Sequence, residues 1–353
     1  MDETAFKIVD GLSRSLGMQL SIRELTRQIS KIHGSAYYAN VYNRLRSLNG
    51  EGIVSLTKAG KSSLVSLNFG SYLTLDLLAE MELTKKHELL KKRESLRLLL
   101  GGIEEACRNL YLISSVCLID PERNVSLNRA ELLVIFHKPI EESRNDEEAI
   151  RETILNLQAM YNIRVDYLLL GKGDFQQLLG SEQANPLREM LANKLAFLAP
   201  QSFWALIRDA SEKGIRIKFE REGTSPARVS EQDLTYNLAR FGYKEFGAEE
   251  GRGKNITIEY VVTSILIGRN ARRTEAIPVI LAKNQPNYNL LIFLSQKYDT
   301  SGKLLGLLKA LDKVRPTKAV EGAIDTLEEM KVREVKASQS SIRERMRLYN
   351  AIG

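Results

Sequence analysis

The chain has 353 residues, a net charge of +7 and a pI near 9.2, which together allow two to four domains and fit a polyanionic partner. Its 43% hydrophobic and 27% charged content is ordinary for a globular protein and rules out a disordered or fibrous chain. Two cysteines, Cys107 and Cys117, exclude a disulfide framework and a cysteine zinc site, and His33, His87 and His137 show no ligand spacing. No signal peptide or long apolar run is present, so a cytoplasmic protein with no membrane partner is expected.

Residues 4–16 place Phe6, Ile8, Val9, Leu12 and Leu16 on one side and predict a first helix. Ser21 with Glu24 three residues on is a capping box, and Ile22, Leu25, Ile29 and Ile32 recur behind it at helical spacing. Gly34 ends that helix, and after a tight turn another opens at Ser35. In it Tyr38, Val41, Leu45 and Leu48 fall on one side, and Tyr37, Asn40, Asn43, Arg44 and Ser47 on the other. Gly50 and Gly52 stop it. Then IVSLT and SLVSL alternate apolar and polar residues, joined by Lys58-Ala59-Gly60-Lys61, a hairpin with a basic tip. Residues 1–70 carry nine Lys and Arg against five Asp and Glu, a net +4.

Helix, tight turn, helix and basic hairpin is an order that resembles the winged helix-turn-helix family, above all in the stretch ANVYNRLRSLNGEGIVSLT. The resemblance implies that the second helix enters the major groove of double-stranded DNA while the wing follows the backbone. Tyr37, Asn40, Asn43, Arg44 and Ser47 would then face the bases, where Asn and Arg read adenine and guanine edges, and Lys58 and Lys61 would meet phosphate. One such module reads a half-site, so a homodimer is expected. Winged modules also serve as docking surfaces, which leaves a protein partner open.

Residues 71–110 predict a helical linker rich in Leu, Lys and Glu. Leu73, Leu77 and Met81 recur four apart, the stripe lapses at Thr84-Lys85-Lys86, and it resumes at Leu89 and Leu90. One long helix or two in series fits. Lys91-Lys92-Arg93 reads first as an exposed helix face, with a DNA contact as the other reading, and Gly101-Gly102 reads as a break.

From 111 the pattern alternates. YLISSVCLI and AELLVIF read as strands around a polar loop, EEAIRETILNLQAMYN as a helix, and IRVDYLLL as a third strand. FQQLLGSEQ and PLREMLANKLAFLAPQSFWALIRDA read as helical. With VDYLLLGKGDFQQLL and NPLREMLANKLAFLAPQSFW, residues 111–210 resemble the small prokaryotic type of nucleotidyltransferase fold. That family's chemistry needs a Gly-Ser pair at the triphosphate and an Asp-x-Asp plus a third Asp around two magnesium ions. Here the Gly-Ser position falls on Cys117-Leu118, the Asp-x-Asp on Arg129-Ala130-Glu131, and the third acid on Asp166. Glu131 and Asp166 are degenerate acidic positions, and Arg129 puts a cation where a ligand belongs, so no catalytic activity and no bound metal or cofactor is expected. Arg123 and Arg129 are left as candidate anion contacts, against the plainer reading of a spacer or docking surface.

Residues 211–353 form a last, mainly helical segment. GIRIKFE reads as an edge strand, and Ser230 caps a helix carrying Leu234, Leu238 and Phe241. ITIEYVVTSILIG, ARRTEAIPVILAKN, YNLLIFLSQKY and KLLGLLKALDKV are helical repeats of similar length with short loops. Arg269, Arg272 and Arg273 make a basic spot, read first as a helix cap. Ala319 to Met330 is a further helix, and Ser341 with Glu344 caps a last one bearing Arg343, Arg345 and Arg347.

The expected architecture is multidomain α/β plus α: an N-terminal winged helix, a helical linker, a central nucleotidyltransferase-like α/β domain and a C-terminal all-helical domain. The expected function is that of a sequence-specific DNA-binding transcriptional regulator. Two other readings stay open, an active nucleotidyltransferase and an antitoxin-like interaction protein.

Overall fold

The computed structural model describes residues 2–60, 62–121, 128–219, 223, 225–245, 252–268 and 270–351. They form a mixed α/β chain in two units: Met1–Val165, Leu169–Gly180 and Leu187–Glu222 in one, and Asp166–Leu168, Ser181–Pro186 and Gly223–Gly353 in the other. No described helix is long and apolar enough to cross a membrane.

The first unit opens with α1 (Glu3–Ser13), started by Asp2, whose Oδ1 accepts the Ala5 N–H at 2.8 Å. Strand β1 (Ser15–Leu16) and strand β2 (Leu20–Ser21) lead into α2 (Ile22–His33), and a short extended link leads to α3 (Tyr38–Gly50). Strands β3 (Val54–Ala59) and β4 (Ser62–Leu67) follow, and β2, β4 and β3 pair in that order. One buried cluster holds these pieces together. It draws Ile8 and Leu12 from α1, Leu25 and Ile29 from α2, and Val41, Leu45 and Leu48 from α3, with Val54 and Val65 from the hairpin. Burying side chains of this size stabilises by about 1.5–3 kcal/mol each.

The linker is two helices, α4 (Tyr72–Lys91) and α5 (Glu94–Cys107), which meet at Lys92–Arg93. Gly101 and Gly102 lie inside α5 and break nothing. A Cβ on Gly102 would stand 2.6 Å from a methyl of Leu157, so glycine there permits a close helix crossing onto α6 (Arg144–Tyr161). The apolar face of α4 is carried by Leu75, Leu78 and Met81, while Leu73 is exposed. Where the stripe lapses, charge replaces it: Lys85 reaches Asp10 of α1, and Lys86 pairs with Glu104 of α5. One turn earlier, Glu82 is fully buried and pairs with Lys194.

Strands β5 (Ile113–Ile119), β6 (Arg129–Phe136), β7 (Arg164–Gly171) and β8 (Lys194–Leu198) form a sheet of order β7-β6-β5-β8. β5 runs antiparallel to both β6 and β8, with Cys117 opposite Leu133 and Ala196. Helices α7 (Lys172–Gly180), α8 (Pro186–Ala192) and α9 (Pro200–Glu212) accompany it. The expected single helix over PLREMLANKLAFLAPQSFW is therefore interrupted, because KLAFL is β8. Ala199 in the left-handed region (φ +46) and Pro200 separate the strand from α9. The Glu82 carboxylate accepts the Ala196 N–H at 3.0 Å and so fixes β8 against α4. Finally β9 (Ile217–Lys218) pairs antiparallel with β1, which keeps the chain up to 222 with the first unit.

The second unit is helical. Ser230 caps α10 (Glu231–Arg240), its Oγ accepting the Asp233 N–H at 3.1 Å. Helices α11 (Ile258–Ile267), α12 (Ala271–Thr274), α13 (Ala276–Lys283), α14 (Tyr288–Lys297), α15 (Ser301–Asp312) and α16 (Lys318–Glu329) follow through short loops. The last helix, α17 (Gln339–Leu348), begins two residues before the expected cap, with Ser338 accepting the Ser341 N–H. It docks on its own unit: Arg345 pairs with Glu275 at 2.7 Å, and Tyr349 stacks on Tyr243 at 4.3 Å between centroids. The extended stretch before it crosses α15, where Val335 N–H donates to Gly302 O at 2.9 Å. A Cβ on Gly306 would lie 1.9 Å from Val335 O, so the strap can sit there only over glycine.

At the centre of the first unit, Asp10 is 1% exposed and holds three helices. Its Oδ2 takes Arg14 Nη2 at 3.3 Å and His33 Nε2 at 3.2 Å, and its Oδ1 takes Lys85 Nζ at 2.5 Å. Burial alone would raise this carboxyl, but His33, Lys85 and Arg14 outweigh it and hold it well below the usual carboxylate range.

Such a depressed group stabilises the fold above the ordinary carboxylate pKa of about 3.9, and that stability is lost as pH falls toward the folded value. The urea midpoint should therefore drop more steeply below about pH 4 in the native protein than in Asp10→Asn. Near neutrality Asp10→Asn should cost roughly 2–3 kcal/mol, between the values for exposed and buried ion pairs, because Arg14 and Lys85 keep some solvent. Gly306→Ala should cost more than about 3 kcal/mol in the same assay, since a backbone carbonyl blocks the new carbon. Gly322→Ala, with open space around it, should instead stabilise by about 0.5–1 kcal/mol.

Candidate nucleic-acid interface

The capping box at Ser21 is formed on both sides: Glu24 N–H donates to Ser21 Oγ at 3.2 Å, and Ser21 N–H to Glu24 Oε2 at 2.8 Å. Gly34 ends α2 at φ +87, a conformation that favours glycine. Its N–H donates to Ser30 O at 3.0 Å, and the short extended link to α3 follows.

Val41, Leu45 and Leu48 face the core from α3. Directly opposite, at spacings of four, three and four, runs an exposed ridge of Ala39, Asn43, Arg46 and Gly50. Asn40 and Ser47 are exposed along one flank. Tyr37 is 72% exposed just before the helix. Tyr38, expected among the inward residues, is exposed and stacks on Tyr42 at 6.1 Å. The helix begins at Tyr38 rather than Ser35, so this ring occupies the open first turn beyond the buried cluster.

Arg44 and Ser47 do not stand free. Arg44 Nη1 donates to Ser47 Oγ at 2.7 Å and to Glu51 Oε1 at 3.0 Å, and its Nε lies 2.8 Å from Asp2 Oδ2. Ser47 Oγ donates to the same Glu51 oxygen at 2.7 Å. The hydrogen bonds from Ser47 and Arg44 hold the Glu51 carboxyl below its ordinary range. Arg44 thus braces the end of α3, while Arg46 is the guanidinium on the outward ridge. The heptad spacing of Arg46 from Ala39 is the sequence signal that marks it.

The hairpin is tight. Ala59 pairs with Ser62, and Gly60 after Ala59 takes φ +60. Lys58 is exposed opposite Ser63 on β4. Lys61 lies outside the described residues. Leu56 N–H donates to Asn49 Oδ1 at 3.0 Å and ties the hairpin to α3, and β2 pairs along the other edge of β4. Thr74 of α4 donates to Asn68 O at 2.7 Å, anchoring the base of the hairpin. Helix α3 and the hairpin are thus tied directly to each other.

In the central sheet, Cys117 and Leu118 lie in the second half of β5 and are buried. Burial pushes the Cys117 thiol up to about 12, and the Cys107 thiol likewise, so neither is a thiolate near neutral pH. Arg129 begins β6, and Glu131 two residues on is 4% exposed, paired in register with Ile119. Asp166 is buried on β7. Arg129, Glu131 and Asp166 each have an interacting partner. Arg123 lies outside the described residues. Among the described residues no three His, Cys, Asp or Glu side chains are grouped as metal ligands would be.

In the second unit, Arg273 pairs with Glu245 at 3.0 Å and with Glu231 at 2.5 Å, which offsets much of the basic spot; Arg269 lies outside the described residues. No protein-family model, curated protein or solved structure matches the chain.

Proposed function

We propose that the N-terminal module is a winged helix-turn-helix that binds double-stranded DNA, and that the protein is a sequence-specific transcriptional regulator. The observation that carries this reading is the outward ridge of α3, Ala39, Asn43, Arg46 and Gly50, exposed on a helix whose other face is wholly buried. A single α-helix fits the major groove, small residues on the ridge let its backbone approach, and Asn and Arg supply base-edge hydrogen bonds. Lys58 on the braced hairpin lies where a backbone contact belongs, and residues 1–70 carry a net +4.

Base reading is assigned to Asn43 and Arg46, with Asn40 and the exposed Tyr37 beside them. Arg44 and Ser47 would have to leave Glu51 to take part, so their role is to stiffen the helix end. One module reads a half-site, so the regulator acts as a homodimer on a two-fold symmetric operator. The central sheet is read as a nucleotidyltransferase-like core that performs no transfer. Support for this comes from the Cys117–Leu118 strand and from Arg129 at a position where the chemistry wants a carboxylate.

Selection of bound duplexes from a random DNA pool tests the reading. An enriched, palindromic sequence is expected; a pool with no enrichment sinks it. On the selected duplex, Arg46→Ala should lose about 1–3 kcal/mol and relax the preference at one position. Arg44→Ala should leave sequence preference unchanged. Lys58→Ala should weaken all duplexes alike and lower the salt slope by about one unit.

A further inference from the structure

A cleft of about 560 Å³ opens within the first unit, walled by α1, α4, β8 and α9, far larger than a packing defect. It is lined by five cations, Arg14, Lys85, Lys92, Arg93 and Lys194. Among the described residues two carboxylates, Asp10 and Glu88, line it with them. Glu82 behind the wall offsets Lys194, and the described lining still carries more cations than carboxylates, with Lys92 exposed at its rim. The rest of the lining is mostly apolar, with Phe6, Leu89, Leu191 and Phe219 around the cavity beside the polar Ser13, Thr84 and Asn193.

Trp204 forms part of this wall and is the one tryptophan of the chain. It is 1% exposed, and its indole N–H is buried with no acceptor among the described residues. The Lys194 ammonium lies 4.4 Å from its ring centroid. A half-apolar cavity with surplus positive charge and an unmet buried donor is poorly matched to water alone.

We propose that this cleft binds a small organic anion, a flat apolar ring bearing a carboxylate or a phosphate. The ring packs between the apolar side chains, and the anionic group meets Lys92 with the cations around it. Such a ligand touches α1 of the DNA-presenting module and β8 of the central sheet at once. The site stands whether or not the module binds DNA.

The sole tryptophan makes binding directly readable. Anilinonaphthalene sulfonate, flat aromatic rings whose sulfonate stands in for the carboxylate or phosphate, should quench Trp204 emission of the full chain saturably. AMP or benzoate should reverse the quench, and which of them does so separates a phosphate source from a carboxylate source. Lys92 is exposed at the rim, so Lys92→Glu should leave the melting temperature unchanged and weaken the probe about tenfold, with Lys92→Gln between. An absent or unsaturable quench overturns the proposal. So does a quench that neither anion reverses, or one that Lys92→Glu leaves intact.

Discussion

A buried carboxylate is a liability unless cations surround it, and Asp10 turns that requirement into architecture. Its partners come from α1 itself, from α2 and from α4, so a single side chain fixes the mutual angles of three helices. Apolar packing would bring these helices together but tolerate sliding. Three directed contacts on one carboxylate do not. The presentation of α3, which packs on α1 and α2 through the same hydrophobic cluster, inherits that rigidity.

Helix α4 carries the same principle further along the chain. Thr74 at its start holds the base of the hairpin, Glu82 grips β8, Lys85 reaches Asp10 and Lys86 reaches Glu104. Four polar contacts spaced over four turns join the N-terminal module, α5 and the central sheet. Each would be weak on a surface. Buried or half-buried, each is specific, because losing one partner strands the other in a poor solvent.

Much of this was legible in the sequence, and the failures have physical causes. The Ser21–Glu24 capping box and the Gly34 stop locate α2 and its end, since their hydrogen bonds are local. The alternating hairpin was equally clear. KLAFL was read as helix because an apolar run of that length has no period of its own; only the partner strand and the Glu82 carboxylate decide it. Gly101-Gly102 was read as a break, yet the glycine there answers to Leu157, more than fifty residues on. Lys85 and Lys86 looked like a gap in an apolar stripe because a buried ion pair is invisible until its distant partner is known. On the candidate interface the periodicity marks Val41, Leu45 and Leu48 as the inward face, which is buried. Sequence alone could not show that Glu51 and Asp2 claim Arg44, which passes the outward role to Arg46.

The small pairing of Ser15–Leu16 with Ile217–Lys218 ties the two ends of the first unit together. During synthesis the N-terminal helices emerge long before that closing strand, separated from it by roughly two hundred residues of chain. Leu16 is almost fully buried in the finished protein, so until translation passes residue 217 this edge waits without its cover. The nascent chain therefore carries an unfinished seam for most of its passage from the ribosome.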